Sequence, residues 1–162
     1  MSRPNKQALL DALRARLLEE RQGLLASQRS AQEGATHAEA RQEHPKDTRA
    51  IEAQYVARGF AERAEELDEM LGALGRFRVD SFGDEDPIAA SALVGLDCEG
   101  KERCYLLVPV GGGTTLEDGG VRVQALTLGS PLGKALTGRR VGESFELELP
   151  GRRMQARVAW VD

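Results

Sequence analysis

The chain has 162 residues, 41% hydrophobic but only 4% aromatic, so it can form a modest core of leucine, valine and alanine in one domain or two small ones. Charged residues are abundant at 30% but nearly balance at a net −4, which argues against autonomous nucleic-acid binding because that usually needs a basic face. No apolar run approaches the length of a membrane span, and Met1–Lys6 lacks the apolar segment of a secretory signal. We therefore expect a cytoplasmic protein without membrane association.

A first long helix is predicted from about Asn5 to Gln42. No proline interrupts this stretch, and Asn5 is suited to cap its start. Apolar residues recur at the spacings of a coiled-coil seam, at Leu10, Leu13, Leu17, Leu24, Ala31 and Ala38. Because the seam shrinks from leucine to alanine, the end near Gln42 should pack closely but weakly.

A second long helix is predicted from about Thr48 to Leu74. Its apolar stripe is assigned to Ile51, Tyr55, Phe60, Ala64, Leu67, Leu71 and Leu74, with an irregular step around Arg58-Gly59-Phe60. Since only a short segment containing Pro45 separates the two helices, they should be antiparallel neighbours. Residues 1–76 are therefore predicted to form an antiparallel coiled coil.

The segment between the two helices, Glu43-His44-Pro45-Lys46-Asp47-Thr48, carries two acids four residues apart. A simple structural interpretation is that Asp47 caps the second helix and Glu43 is a solvated end of the first. A lone acid pair on a loop binds Mg²⁺ poorly, because this ion keeps most of its water. The two acids would therefore act on a metal only inside a site that already holds one.

Residues 77–162 are predicted to form a second domain that is rich in strands. Residues 77–91 are interpreted as a linker with one possible strand near Phe77 and Val79, and the other strands are expected at 92–96, 104–108, 121–126, 144–149 and 154–161. Strict alternation in the last two strands indicates one buried face. The fold class expected is α+β, with a small antiparallel β-sheet and one short helix.

That short helix is predicted at Ser130–Leu136. Ser130 should cap it, Pro131 occupies its first position and Gly138 should close it. The sequence places no histidine near Ser130 that would activate its hydroxyl, so nucleophilic catalysis is not expected there.

Two other motifs are given structural interpretations. The Gly111–Gly113 run lacks the GxxxxGK[ST] spacing of a phosphate-binding loop and is interpreted as a hairpin loop. Cys98 and Cys104 match no strong zinc pattern, and two cysteines fit a reduced cytoplasmic protein. No cofactor is therefore expected on the isolated chain.

The block from Ser130 to Glu143, followed by the hairpin around Pro150-Gly151, resembles the signature of the Gre-type transcription elongation factors. The stretch from Arg58-Gly59-Phe60 to Leu67 also resembles that family's second coiled-coil helix. The resemblance implies an N-terminal coiled coil that enters the secondary channel of bacterial RNA polymerase, and a C-terminal FKBP-like domain. It also implies a polymerase-docking surface that includes Ser130, Pro131, Leu132 and Gly133.

The same resemblance implies a role for the segment between the helices. The family carries an Asp-Leu-Lys-Glu-Asn-type segment there, whose acids hold a second magnesium inside the polymerase. In this chain Lys46 matches, Asp47 matches the second acid, and His44 stands at the first acid's position beside Glu43. Asp47 and Glu43 are thus the implied acids, with Mg²⁺ held by Asp47 only in the complex. The implied contact residues are His44, Lys46, Thr48 and Arg49.

We therefore expect a monomeric regulator of bacterial RNA polymerase that meets transcript RNA only within the complex. It would modulate elongation, and at most it would assist the polymerase's own cleavage of backtracked RNA, without being an enzyme itself. Its place in transcription also implies DNA binding, which the balanced charge does not favour. The alternatives are a non-cleaving channel inhibitor or initiation regulator, a coiled-coil interaction protein outside transcription, and a prolyl isomerase or chaperone.

Overall fold

The computed structural model describes residues 2–40 and 48–162. The chain forms two compact units: a helical unit, Ala15–Gly72, and a sheet unit, Met1–Arg14 together with Ala73–Asp162. The α+β fold class is confirmed. Within the described residues, no helix combines the length and the apolarity that crossing a membrane requires.

The two predicted long helices are present as α1 (Lys6–Ala40) and α2 (Arg49–Gly75). They lie antiparallel: Arg14 near the start of α1 lies 4.0 Å from the Cβ position of Gly75 at the end of α2, whereas Glu20, further along α1, pairs with Arg63, further back in α2. The next α1 residue, Arg21, pairs with Asp68. Both helices match the predicted bounds to within about two residues, which is the usual uncertainty of helix ends.

The start of α1 is fixed by polar contacts inside the sheet unit. Asn5 caps the helix as predicted, because its Oδ1 accepts a hydrogen bond from the Ala8 amide at 2.9 Å. The Asn5 amide donates to Asp118 Oδ2 at 2.7 Å, and Lys6 Nζ donates to the Asp80 carbonyl at 2.8 Å. Lys6 is buried, and this burial lowers the pKa of its amine.

Six strands form one mixed sheet in the order β3-β4-β2-β1-β6-β5. Their bounds are β1 Leu93–Cys98, β2 Lys101–Val108, β3 Thr115–Asp118, β4 Val121–Thr127, β5 Ser144–Leu149 and β6 Arg152–Val161. Four pairs are antiparallel as predicted, whereas β2 and β4 run parallel. The reason is the unpredicted strand β3, which turns back through Gly119-Gly120 so that β4 returns in the direction of β2.

The sheet buries most of the large apolar side chains. One face, together with the short helix α3 (Pro131–Leu136), forms a core that includes Leu96, Tyr105, Leu107 and Leu136. The alternation predicted for the last two strands is confirmed for Phe145, Leu147, Met154, Ala156 and Val158, which are buried in this core. Leu149 is half-buried against it, and Trp160 is buried outside this cluster, beyond a register shift between β1 and β6. In the same unit Leu9 and Leu13 of α1 are fully buried, and Leu13 lies against Gly111.

The strand considered near Phe77 and Val79 is not formed. This segment lies outside the strands because its polar groups bond elsewhere: the Asp80 amide donates to Ser91 Oγ at 2.9 Å, and the Asp80 carbonyl accepts from Lys6. Asp80 is thereby held against the start of α1, whereas a ladder would need its backbone groups for a neighbouring strand.

Candidate functional site

The segment between the two long helices is the candidate functional site. Glu43, His44, Lys46 and Asp47 lie outside the described residues, so their predicted roles remain predictions. Thr48 is described and begins α2: its carbonyl accepts from the Glu52 amide at 2.9 Å, and its hydroxyl donates to Glu52 Oε1 at 3.4 Å. Thr48 thus directly precedes α2, and the cap role suggested for Asp47 remains a prediction.

The seam of α2 next to this segment differs from the predicted stripe. Residues that are buried or half-buried recur at alternating spacings of three and four, at Ala50, Ala53, Ala57, Phe60, Ala64, Leu67, Leu71 and Leu74. This pattern is a regular heptad with no irregular step at Gly59. The prediction that Ile51 and Tyr55 belong to the stripe is wrong, because both are exposed and alanines occupy the heptad positions there.

Ile51 and Tyr55 instead lie on the outside of α2. Their exposed fractions are 54% and 68%, and that of the neighbouring Val56 is 52%. The Arg58 guanidinium lies 5.9 Å from the centre of the Tyr55 ring, within the range of a cation–π contact. We call Ile51, Tyr55 and Val56 the outer apolar group. This exposed surface was missed from the sequence, and the heptad spacing of the alanines was the signal that could have found it.

Ion pairs connect the two helices along the helical unit. Arg21 binds both oxygens of Asp68, at 2.5 and 3.1 Å, and this hydrogen bonding raises the pKa of Arg21. Arg63 Nη1 bonds to Glu66 at 2.9 Å and its Nη2 to Glu20 at 3.1 Å, which raises its pKa in the same direction. The Arg63–Glu66 pair lies within α2, whereas the Arg21–Asp68 and Glu20–Arg63 pairs join the helices and favour one alignment of α1 with α2 over a slipped alternative.

Most of the predicted docking residues at α3 have a structural role. Ser130 Oγ accepts from the Gly133 amide at 3.1 Å and donates to the Thr127 carbonyl at 2.7 Å, so the predicted cap is confirmed. Gly133 is buried, and Ser130 and Leu132 are half-buried. Of these four residues only Pro131 is exposed, so any partner contact here would be made mainly by Pro131.

The glycine run and the cysteines have structural explanations. Gly111 lies against Leu13, and the Gly113 amide donates to the Ala125 carbonyl at 2.8 Å, so this loop is packed within the sheet unit. It joins β2 to β3, which are not paired with each other, so the prediction of a hairpin loop is wrong. Cys98 and Cys104 are buried free thiols. Within residues 2–40 and 48–162, no three potential metal ligands of the His, Cys, Asp or Glu type lie together.

No family model matches the chain, and no curated protein matches it. Among solved structures, the chain is similar to GreA factor homolog 1 (Gfh1) of Thermus thermophilus, with 22% identity, a TM-score of 0.40 and 94% of each chain covered. It is similar to Gfh1 of Thermus aquaticus at 23% identity and a TM-score of 0.41, over 96% of this chain and 94% of that one.

A prokaryotic transcription elongation factor GreA/GreB from Nitrosomonas europaea matches at 24% identity and a TM-score of 0.36, over 62% of this chain and 90% of that one. The matches to Gfh1 therefore extend over nearly the full chain, whereas the match to GreA/GreB covers a smaller part of it. Because these identities and TM-scores are low, we argue function from the residues of this chain itself.

Proposed function

We propose that this chain is a Gre-type factor that binds bacterial RNA polymerase by placing its paired helices in the secondary channel. The observation that carries the proposal is a combination in one chain: two helices paired through a regular heptad and joined by a segment with two acids, and the Ser130–Glu143 block that resembles the family signature. In the structure this block forms the capped helix α3 and leads into β5.

The alanine seam supports insertion into a narrow channel. Helices that pack through small side chains approach to about 8 Å between their axes, near the lower limit for helix pairs. The three seam positions of α2 closest to the segment with the acids, Ala50, Ala53 and Ala57, are all alanine. The pair is therefore thin where a channel would enclose it.

The outer apolar group supports a protein partner. Fully burying one large apolar side chain contributes about 1.5–3 kcal/mol, and Ile51 and Tyr55 present such side chains on the outside of α2. These residues lie one to two helical turns from Thr48, so a channel wall would cover them when the segment with the acids is at the catalytic centre. Direct DNA binding is not part of the proposal, because neither the net charge of −4 nor the comparisons support it.

The acids decide what the bound factor does. A second metal lowers the barrier of an in-line displacement by stabilising the attacking and leaving oxygens, and two carboxylates hold it better than one. His44 occupies the first acid's position in the resemblance, and Mg²⁺ prefers oxygen to nitrogen. That substitution favours a second candidate function, in which the factor occupies the channel and regulates the polymerase with little cleavage.

The test is an RNA cleavage assay on backtracked complexes of purified polymerase with Mg²⁺. A polymerase-binding measurement accompanies it. We expect the wild-type chain to bind at micromolar concentration and Asp47→Ala to retain binding. If the wild type stimulates cleavage, Asp47→Ala should abolish it. If the wild type only inhibits, His44→Asp should introduce cleavage.

Glu65→Ala is the matched control, since Glu65 is an exposed acid on α2. It should leave both binding and cleavage unchanged. Absence of polymerase binding by the wild-type chain at micromolar concentration would remove the proposal. Cleavage by Asp47→Ala at the wild-type rate would remove only the role assigned to Asp47.

A further inference from the structure

A cavity of about 530 Å³ lies within the sheet unit beside the residues that precede α1. The residues lining it that carry charged, thiol or aromatic side chains are Arg3, Glu102, Cys104, Arg122 and Trp160. A second cavity of about 340 Å³ shares Glu102, Cys104 and Arg122 with the first and adds Arg103. Because they share these residues, the two form one joined concave surface, and its size is in the range of small-molecule sites.

One wall of this surface is built around Trp160. A Cβ atom at Gly95 would lie 2.2 Å from the indole, so only glycine allows the ring to lie across β1. The register of β1 with β6 also shifts between Gly95 and Leu96. The Trp160 indole nitrogen donates to Glu102 Oε1 at 3.1 Å, and the Arg3 guanidinium lies 4.9 Å from the ring centre.

The lining carries more positive than negative charge. Three arginines face one acid, and the carboxylate of that acid, Glu102, already accepts from Trp160 and, at 3.7 Å, from the Cys104 thiol. Burial raises the pKa of Cys104 to about 11, with the Glu102 charge acting in the same direction, so this thiol stays uncharged at neutral pH.

Among the described residues, the two arginines of the larger cavity have no acid partner. In the part of the chain that the structure describes, neither Arg3 nor Arg122 forms an ion pair. Glu117 is opposite Arg122 in the β3–β4 register without forming an ion pair with it. Both guanidinium groups therefore keep donors for an anion.

We propose that this joined concave surface binds a small molecule that carries a phosphate group, with Arg122 and Arg3 holding the phosphate. The planar donors of arginine match phosphate oxygens in pairs, and such charge-assisted hydrogen bonds are among the strongest in proteins. Trp160 and Val121 provide the apolar wall for the remainder of the ligand. This site shares no residue with the segment that carries Glu43 and Asp47, and it does not depend on the polymerase proposal.

Trp160 is the only tryptophan of the chain, so its fluorescence reports on the cavity directly. The full chain is titrated with pyrophosphate, with inorganic phosphate and with adenosine monophosphate, at an ionic strength held constant with sodium chloride. We expect a saturable fluorescence change with at least one of these probes. Arg122→Gln and Arg3→Gln should each weaken it about tenfold or more, because each removes a charged donor.

Arg122→Lys separates geometry from charge, since it keeps the charge but loses the paired donors, and it should also bind more weakly than the wild type. Arg153→Gln is the matched control: Arg153 is an arginine of the same sheet that pairs with Glu146 and Glu148 and does not line the cavity. Its titration should match the wild type. Circular dichroism verifies that each variant is folded.

Three results would overturn the inference. The first is that the fluorescence of the wild type shows no saturable change up to about 10 mM of every probe, since a site with a millimolar dissociation constant would be mostly occupied at that concentration. The second is equal weakening by Arg153→Gln and Arg122→Gln, which would indicate general charge screening. The third is saturation with citrate but with none of the phosphate probes, which would assign the site to carboxylates.

Discussion

Glycines of the sheet unit and of the helical unit differ in how closely other atoms surround them. In the sheet unit, a Cβ atom at Gly95 would be 2.2 Å from Trp160, and one at Gly133 would be 2.1 Å from the Thr127 carbonyl oxygen. In the helical unit, Gly23, Gly34 and Gly59 have no atom within 4 Å of such a Cβ. Packing therefore dictates these two glycines of the sheet unit, whereas Gly23, Gly34 and Gly59 face open space.

The large apolar residues show the same contrast. The sheet unit buries Leu93, Leu96, Leu106 and Leu107 completely. The first half of α2 buries only alanines and places Ile51, Tyr55 and Val56 on its outside. The large apolar residues of the sheet unit thus stabilise its own fold, whereas under the proposed function those outside α2 are available to a partner. Four predictions examine this contrast.

The largest effect is expected where the helical unit has a core of its own. Leu67 is fully buried in α2, so Leu67→Ala should lower the free energy of unfolding by about 3 kcal/mol through lost burial and a residual cavity. Urea denaturation followed by circular dichroism measures it. Leu18→Ala on α1 is the control, because Leu18 is 42% exposed, and it should cost less than about 1 kcal/mol. Equal losses would show that the seam is misplaced.

The next effect concerns the sheet unit. Gly133→Ala adds a methyl group against a backbone carbonyl, so it should lower the free energy of unfolding by about 2 kcal/mol despite the better helix propensity of alanine. Gly129→Ala, where nothing lies within 4 Å, is the matched control and should be nearly neutral. Thermal and urea denaturation of both variants provide the measurement. A neutral Gly133→Ala would contradict the tight packing of α3 on Thr127.

Sequence patterns predicted the elements that depend on neighbouring residues. Asn5 and Ser130 were correctly assigned as caps, because a cap depends on one polar side chain within three residues of an amide. The alternation of β5 and β6 is also local, because successive side chains of a strand point to opposite faces of the sheet. Long-range pairing was less predictable: β3 has a single buried residue, Leu116, so its four residues gave no strand signal, and the parallel β2–β4 pair followed from it.

The stripe of α2 failed for a physical reason. Alanine is only weakly hydrophobic, so Ile51 and Tyr55 dominated the pattern although Ala50, Ala53 and Ala57 have the heptad spacing. Hydrophobicity alone cannot distinguish a residue that is buried in the chain's own core from an exposed apolar residue that would bind a partner. For the candidate site, the predicted helix start at Thr48 is one residue from the observed start of α2 at Arg49, and the contact roles of Thr48 and Arg49 remain predictions. Glu43, His44, Lys46 and Asp47 lie outside the described residues.

A smaller effect of opposite sign is expected in the helical unit. Gly59→Ala replaces glycine in the interior of α2 where nothing lies within 4 Å, so it should raise the free energy of unfolding by about 1 kcal/mol through helix propensity alone. Gly23→Ala on α1 is a second variant of the same kind and should behave alike. A loss of stability in either variant, measured by urea denaturation, would show that the helix surface there is packed.

The smallest effect on stability is expected at the outer apolar group. Ile51 and Tyr55 are 54% and 68% exposed, so the double variant Ile51→Ala/Tyr55→Ala should change the free energy of unfolding by no more than about 0.5 kcal/mol per residue. Under the proposed function the same variant should bind RNA polymerase about tenfold more weakly or worse, because it removes apolar surface that the channel wall would cover. Equilibrium binding to purified core polymerase measures it.

Val79→Ala is the control for this last prediction, because Val79 is an exposed apolar residue of the sheet unit, at 42% exposure, outside the helices. It should leave both stability and polymerase binding unchanged. If the double variant loses stability together with binding, the outer apolar group belongs to the fold and the contrast between the two units fails. If it keeps both, polymerase does not touch this face of α2. Only loss of binding at unchanged stability supports a surface that is kept apolar for a partner.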